Sequence, residues 1–427
     1  MWDLLKSGKA RRLISNISLR MGGNVASKLL SLVSFPIIAR ALGPEVYGKY
    51  SLVIAVLAYT AIAIDFGFSV YGIREIAKGE NRQTMVSDIL SARLVLGAFS
   101  IVIGAIVCWF VFEDNRSIFY LTVLGYMWIL ARVLEVDFFF YGIGNIVIPT
   151  VSQIGGQLFF VAGVILLIRE PDHIVAVIVL YTAYHLLAAG FMLITYVRRF
   201  GRVRLRFSIA STINLLRRVA KLGITGRLEM LFNTFPILVI SALMGAYYVG
   251  VYAASFKFFT ISLMAYQAIM LNVAPHLVRL ASRDPQRQRR VIWLLVAGLF
   301  TFGLCLAGVL LVSGEFIITV LLGKQFSGAV EVFYLICALL VPMHGLTTAL
   351  GYTLVYFDEE SKYLINVIAA TAASMVLVPL FTHLWGLQGT VTALFTANVV
   401  GFTMNLYFVN EVVPGFLLPL RRMGTRH

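Results

Sequence analysis

ALGPEVYGKYSLVIAVLAYTAIAIDFGFSVYGIREIA, residues 41–77, decides what kind of protein this chain is. Gly43-Pro44 opens it with a tight turn, because proline has no N–H to donate and restricts the residue before it. An apolar run long enough to cross a bilayer follows. It closes on Asp65-Phe66-Gly67, with cations at Arg74 and Lys78 just beyond. An apolar span that ends on an acid and is flanked by cations reads as a membrane helix beside a polar path. The turn returns in the second half of the chain, where Gly245-x4-Gly250-x-Tyr252 matches Gly43-x4-Gly48-x-Tyr50. The chain therefore reads as two related membrane bundles.

Composition supports this outward from that stretch. Of the 427 residues, 60% are hydrophobic and 13% charged, about half the ~25% charge of soluble domains. Hydrocarbon requires every backbone N–H and C=O to be paired within the protein, and unbroken apolar segments of about 20 residues select helices over barrel strands. The fold class expected is an all-α membrane protein. The net charge of +15 is spread over short loops, so it reads as insertion topology and not as a nucleic-acid face. Cys108, Cys305 and Cys337 all lie within apolar runs, which indicates neither a disulfide framework nor a metal site.

Twelve spans can be drawn: 22–41, 47–70, 89–111, 117–140, 147–168, 175–196, 220–244, 250–276, 291–312, 329–351, 363–382 and 388–410. Residues 1–21 read as a cytoplasmic interfacial helix, with Trp2, Leu4, Leu5, Leu13 and Ile17 set among Lys6, Lys9, Arg11, Arg12 and Arg20. Spans one to six form an N-lobe, 22–196. A basic linker, 197–219, leads to a C-lobe of spans seven to twelve, 220–410, and a tail, 411–427. Lys and Arg collect on one side: with the N-terminus inside, the outer loops and span edges keep only Arg40, Lys49, Arg116, Arg169 and Lys324. Both termini are thus expected in the cytoplasm. Pro36 and Pro236 fall in the first span of each half, where kinks at matching places fit bundles that rock.

Ionisable side chains inside spans are costly and normally face a cavity or a partner. Asn24, Ser27, Lys28 and Ser31 form one polar stripe on span one, with Lys28 able either to face water or to snorkel. In span four Arg132 and Glu135 are three apart and can pair on one face, with Asp137 nearby. In span seven Arg227 and Glu229 are two apart and cannot neutralise each other, so each needs a partner elsewhere; Asn233 follows one turn later. Lys257 lies in span eight. Asp65 reads as a proton or ion site, or as the partner of an arginine such as Arg74. Arg93 is close enough to the inner surface that snorkelling is favoured. His276 and His344 are isolated and read as structural. Tyr59, Tyr126 and Tyr266 are candidates for stacking on sugars, with packing as the commoner role of such rings. The set is biased positive: Lys28, Arg93, Arg132, Arg227 and Lys257 against Asp65, Glu135, Asp137 and Glu229. A cationic cavity suits an anionic cargo such as a lipid diphosphate.

RALGPEVYGKY at 40–50, DFG at 65–67 and GIREIA at 72–77 resemble the opening of Wzx-type polysaccharide flippases, and VGVYAASFK at 249–257 resembles the start of their second half. This family belongs to the superfamily that includes multidrug (MATE) exporters and the lipid II flippase. The resemblance implies twelve transmembrane helices in two pseudo-symmetric six-helix lobes around a central cavity, in a bacterial inner membrane. It implies alternating access that moves undecaprenyl-diphosphate-linked oligosaccharide, an O-antigen or exopolysaccharide repeat unit, from the inner to the outer leaflet. Partners would be that lipid-linked oligosaccharide, membrane lipids and polysaccharide polymerase machinery, with the chain acting as a monomer. No cofactor, metal or catalytic residue is implied. Cargo-binding candidates are Arg227, Lys257, Lys28, Arg132, Asn24 and Asn233, with Asp65, Glu229, Glu135 and Asp137 as ion-coupling or ion-pair candidates. Relatives often carry an acid where Asn233 stands, a departure that bears on coupling. Two other readings stay open: a cation-coupled multidrug antiporter, against which the basic bias argues, and a polysaccharide polymerase or ligase, for which no long outer loop is present. ATP-driven export lacks its phosphate-binding loop.

Overall fold

The structure, a computed structural model, describes the backbone of residues 8–79, 81–113, 115–207, 209–280 and 285–417; side chains are described from Ser27 onward, apart from 28, 63, 209–211, 220–226, 271, 274, 275, 280 and 285. The amphipathic side chains of residues 1–21, the polar stripe members Asn24 and Lys28, and the last ten residues of the expected tail lie outside the described residues. All regular structure among the described residues is helical, and ten segments are long and apolar enough to cross a membrane.

Two compact units divide the chain, Met1–Arg227 and Leu228–His427. The first holds α1 (Gly8–Ile64), α2 (Phe68–Lys78), α3 (Arg82–Val111), α4 (Arg116–Gly125), α5 (Met127–Leu134), α6 (Asp137–Gly142), α7 (Val147–Leu167) and α8 (Ile174–Phe200). The division falls within α9 (Ile209–Met244). The second unit continues with α10 (Ala246–Leu280), α11 (Pro285–Leu321), α12 (Ala329–Tyr356) and α13 (Glu360–Val412).

Glycine sets the breaks. Gly43 has φ 71° and ψ 167° within α1, a conformation that side chains disfavour, and Pro44 behind it withholds a donor. Gly245 has φ 92° between α9 and α10. The sequence repeat therefore marks a glycine of positive φ in each half. A third break, Trp385-Gly386 with Gly386 at φ 59°, interrupts α13 between residues 382 and 388, where the apolar pattern also lapses. Elsewhere the expected edges need correction. The second span ends at Ile64 and not at 70, because Asp65–Gly67 turns the chain into α2. The fourth is three pieces, α4 to α6, with the carbonyl of Glu135 outside any helix.

In the first unit α1 packs on α3 and α7, α8 on α5 and α7, and α2 on α6. One core joins Phe68 and Ile76 of α2, Ile89 and Leu90 of α3, Phe138, Phe139 and Phe140 of α6, and Tyr196 of α8. The basic stretch after α8 is extended. It lies along α3, where Gln83 donates to the Arg202 carbonyl (3.0 Å), and the hydroxyls of Ser87 and Ser91 accept the N–H groups of Arg204 (3.2 Å) and Arg206 (2.8 Å). In the second unit α12 is central, against α10, α11 and α13. Trp293 stacks on Phe416 at 4.8 Å and donates to its carbonyl, tying down the segment after α13. Large apolar side chains such as Phe110, Leu166, Val312 and Phe316 stand exposed. In water such a surface would aggregate; against lipid it costs nothing.

Gly72 shows how tightly α2 meets α6. A methyl group there would come within 2.5 Å of Phe138 and 2.9 Å of Ile89, whereas Gly190 of α8 has open space around it. Gly72→Val is expected to destabilise the protein by about 1–3 kcal/mol through overpacking, while Gly190→Ala is neutral or slightly stabilising. Thermal unfolding of the purified variants checks both. Equal midpoints would show that the contact between α2 and α6 carries no strain.

Candidate functional site

The first unit gathers its ionisable groups at the end of α1. Asp65 sits on the turn that Gly67 closes at φ 96°. Its Oδ1 accepts the backbone N–H of Ser69 (3.2 Å) and the Ser69 hydroxyl (2.9 Å). This satisfies a donor that the first turn of α2 leaves free. Arg93 of α3 reaches the same oxygen at 2.6 Å, Arg227 of α9 approaches Oδ2 at 3.0 Å, and Arg132 of α5 lies 3.9 Å from Oδ2. Arg227 also donates to the Asp65 backbone carbonyl. One carboxylate thus holds three guanidinium groups.

Arg93 is 1% exposed, so the expectation that it snorkels is overturned. Its second amino group donates to the carbonyl of Glu135 at 2.7 Å. That carbonyl has no helical partner, since Glu135 and Val136 lie between α5 and α6, and an unpaired one in hydrocarbon would cost several kcal/mol. The guanidinium also stands 5.3 Å from the Phe138 ring centroid. Burying a charge is repaid only by pairing and hydrogen bonding; here both terminal amino groups are paired, while Nε is buried without a partner. Asp65 does not pair with Arg74, which is exposed; the α2 turn points the carboxylate at α3 and α9.

Arg132 and Glu135 form an ion pair across one helical turn. Both line a cavity of about 190 Å³ in the first unit, together with Ser27, Gln153, Gln157, Tyr184 and His185. The Ser27 hydroxyl and His185 Nε2 are buried there without a hydrogen-bond partner. Ser27 belongs to the polar stripe of the first span, so part of that stripe does face a polar cavity. The Arg132 and Arg227 side chains are 28% and 25% exposed, against 2% for Arg93. Each has N–H groups beyond those spent on the carboxylates. Asp137 begins α6, accepts the Phe138 N–H at 2.8 Å, and has no ion pair among the described residues.

The remaining candidates fall in the second unit. Glu229 accepts the Tyr363 hydroxyl at 2.7 Å, and Asn233 donates to the Glu229 carbonyl at 2.8 Å. The two span-seven charges therefore find separate partners, Asp65 for Arg227 and Tyr363 for Glu229. Lys257 is half-buried, with no hydrogen bond or ion pair among the described residues. Tyr126 is buried beside Cys108, and Tyr266 donates to the Val341 carbonyl at 2.8 Å, so both serve packing. His344 meets the Phe259 and Tyr266 rings edge-on. His276 lies 3.2 Å from Arg279. Ser69 is the one partner in the network that the sequence does not single out; its i,i+4 spacing from Asp65 is the available signal.

Comparison with known proteins adds four findings. The family model described as polysaccharide biosynthesis protein matches residues 13–281. A Shigella dysenteriae protein described as an O-antigen transporter is 21% identical over 388 residues, covering 88% of this chain and 94% of that protein. Among solved structures, the lipid II flippase MurJ in an inward closed conformation aligns with a TM-score of 0.73 at 12% identity, over 94% of this chain and 91% of that one. An inward-facing multidrug resistance MATE transporter aligns with a TM-score of 0.70 at 14% identity, over 90% and 95%. At these identities the solved structures establish the fold.

Removing Arg93 would leave both the Asp65 carboxylate and the Glu135 carbonyl short of a donor. Arg93→Gln is expected to cost about 3–5 kcal/mol, the usual penalty for breaking a buried ion pair. Arg93→Lys should recover only part, because an ammonium lacks the fork that spans the two acceptors. Thermal unfolding in detergent measures this. A lysine variant as stable as the parent would rule out the bridging role.

Proposed function

The chain belongs to the polysaccharide biosynthesis protein family, and from that premise we propose that it is a Wzx-type flippase that moves a polyprenyl-diphosphate-linked oligosaccharide from the inner to the outer leaflet. The headgroup crosses by alternating access while the lipid tail stays in the bilayer. The protein sits in a bacterial inner membrane with both termini in the cytoplasm, as the distribution of Lys and Arg favours. The O-antigen description of the Shigella relative supports a glycan cargo.

One observation carries the reading. Arg132 and Arg227 share Asp65, are partly exposed, and keep unspent N–H groups, with Arg132 in the wall of a polar cavity. A guanidinium fixed on one side by a carboxylate presents its remaining edge to a second oxyanion in bidentate geometry. Phosphate is the oxyanion that a lipid-linked glycan brings. Lys257, half-buried with no hydrogen bond or ion pair among the described residues, is a further candidate cation, as is Lys28. Asp65 and Glu135 serve as ion-pair partners that hold the arginines.

The test is leaflet transfer of a fluorescent polyprenyl-diphosphate-linked glycan in proteoliposomes. Arg132→Gln and Arg227→Gln should each slow transfer at least tenfold, and the combined Gln variant of Lys28, Arg132, Arg227 and Lys257 should abolish it. Thermal unfolding shows that each variant is folded. Transfer that survives the combined variant removes the electrostatic mechanism. Export of rhodamine or ethidium in place of glycan transfer would point to the multidrug antiporter reading.

A further inference from the structure

We propose that the second unit contains a binding site for a neutral pyranose, one sugar ring of a glycan. The site is a cavity of about 310 Å³ bounded by α9, α10, α12 and α13. Its size is at the low end of small-molecule pockets, which run from about 300 to 1,000 Å³, and far exceeds the needs of a bare ion held by oxygens at about 2.0–2.6 Å. The inference rests on the flippase reading for the source of the sugar. The site itself is distinct from the Asp65 network of the first unit.

The walls define the ligand chemistry. Asn366 and Asn405 line the cavity at 6% and 1% exposure, and the Oδ1 atom of each is buried without a hydrogen-bond partner. A buried acceptor left unpaired costs about 1–3 kcal/mol, so the cavity is built for something that donates. Thr347, Thr348 and the Tyr352 hydroxyl add groups able to give or take a hydrogen bond. Phe232, Tyr352 and Tyr363 supply rings on which the C–H face of a pyranose can lie. Alternating hydroxyl donors and an apolar ring face are what a sugar offers to amides and aromatics.

Two other ligand classes fit less well. No Lys or Arg lines the cavity among the described residues, and the Glu229 carboxylate does, so a phosphate is repelled. An organic cation would suit the rings and the carboxylate. A quaternary cation has no donor and would leave both amide oxygens unpaired, a protonated amine brings fewer donors than a sugar's hydroxyls, and Glu229 is already bonded to Tyr363 at 2.7 Å.

Glycine makes the space. Gly351 and Gly401 both line the cavity; a methyl group on Gly401 would come within 3.1 Å of Asn366 Oδ1, and one on Gly351 within 3.0 Å of the Tyr363 ring. Gly401 lies in a helix at ordinary dihedrals, where alanine is the better helix former. Gly401→Ala therefore crowds the site at Asn366 and keeps a good helix former at that position.

The experiment is saturation-transfer NMR on the full chain in nanodiscs, free of sugar-based detergent, with the methyl pyranosides of glucose, galactose, N-acetylglucosamine and rhamnose as probes and glycerol as baseline. At least one pyranoside should show transfer above glycerol. Gly401→Ala and Asn366→Leu should weaken its apparent affinity about tenfold, with Gly190→Ala unchanged. If no pyranoside exceeds glycerol, or if binding survives Gly401→Ala and Asn366→Leu with both variants folded, the site is not a sugar site. Tetraphenylphosphonium or Na⁺ binding there, with no pyranoside signal, overturns the assignment in favour of a cation. Glycan transfer in proteoliposomes without any pyranoside signal defeats this inference and leaves the flippase intact. A pyranoside signal without glycan transfer defeats the flippase reading and leaves the site standing.

Discussion

The charged network of the first unit follows from one demand: neither a carboxylate nor a broken helix end can be left without a donor in hydrocarbon. Arg93 meets that demand twice with a single side chain. Its guanidinium neutralises Asp65 at the end of α1 and caps the Glu135 carbonyl where α5 gives way to α6. Neither feature is stable alone, since a buried carboxylate without a cation and a broken helix without a donor each cost several kcal/mol. Together they become permissible. The irregular backbone at Glu135-Val136 exists because an arginine from a third helix is there to hold it, and Phe138, packed against Gly72, keeps that arginine in place.

The two units share a backbone device and differ in chemistry. Gly43 and Gly245 both take a positive φ after the opening helical segment of each half. Beyond that point the halves diverge. The first concentrates three arginines and two carboxylates around Asp65. The second encloses a cavity of amides, hydroxyls and rings with a lone carboxylate. Duplication of a helical frame leaves side chains free to specialise, because helix packing in lipid depends on shape far more than on which polar groups fill the interior.

Much of this was legible in the sequence, and the rest was not for identifiable reasons. Hydropathy over 20-residue windows fixes the all-helical membrane class, and the breaks at Gly43 and near Gly386 show as lapses in the apolar pattern. The i,i+3 spacing of Arg132 and Glu135 announces their pair, because that distance is set by the helix itself. Arg93 was misread because depth along a span says how far a side chain is from water, not whether a partner waits inside. Asp65 lies 28 positions from Arg93 and 162 from Arg227, separations that no local rule spans. The amides Asn366 and Asn405 stand apart on one long helix, and only the break at Trp385-Gly386 brings its halves to a common cavity.

On the proposed function, the sharing of Asp65 has a physical consequence for transport. Two unit charges 4 Å apart interact by about 4 kcal/mol at an effective dielectric of 20. A cluster of bare guanidiniums facing a diphosphate would therefore sum to a well too deep to leave. A carrier must bind strongly enough to draw its cargo from one leaflet and weakly enough to yield it to the other. Under the proposed function Asp65 and Glu135 would set that balance, because they occupy part of each arginine before cargo arrives. Arg132 and Arg227 then present a fraction of their full attraction, in a fixed orientation. The carboxylates also remain as competitors that reclaim the arginines when the phosphate departs, so the site never stands empty of counter-charge. On that proposal the acids in this network take part in anion handling as much as the bases, and net charge alone is a poor guide to the cargo.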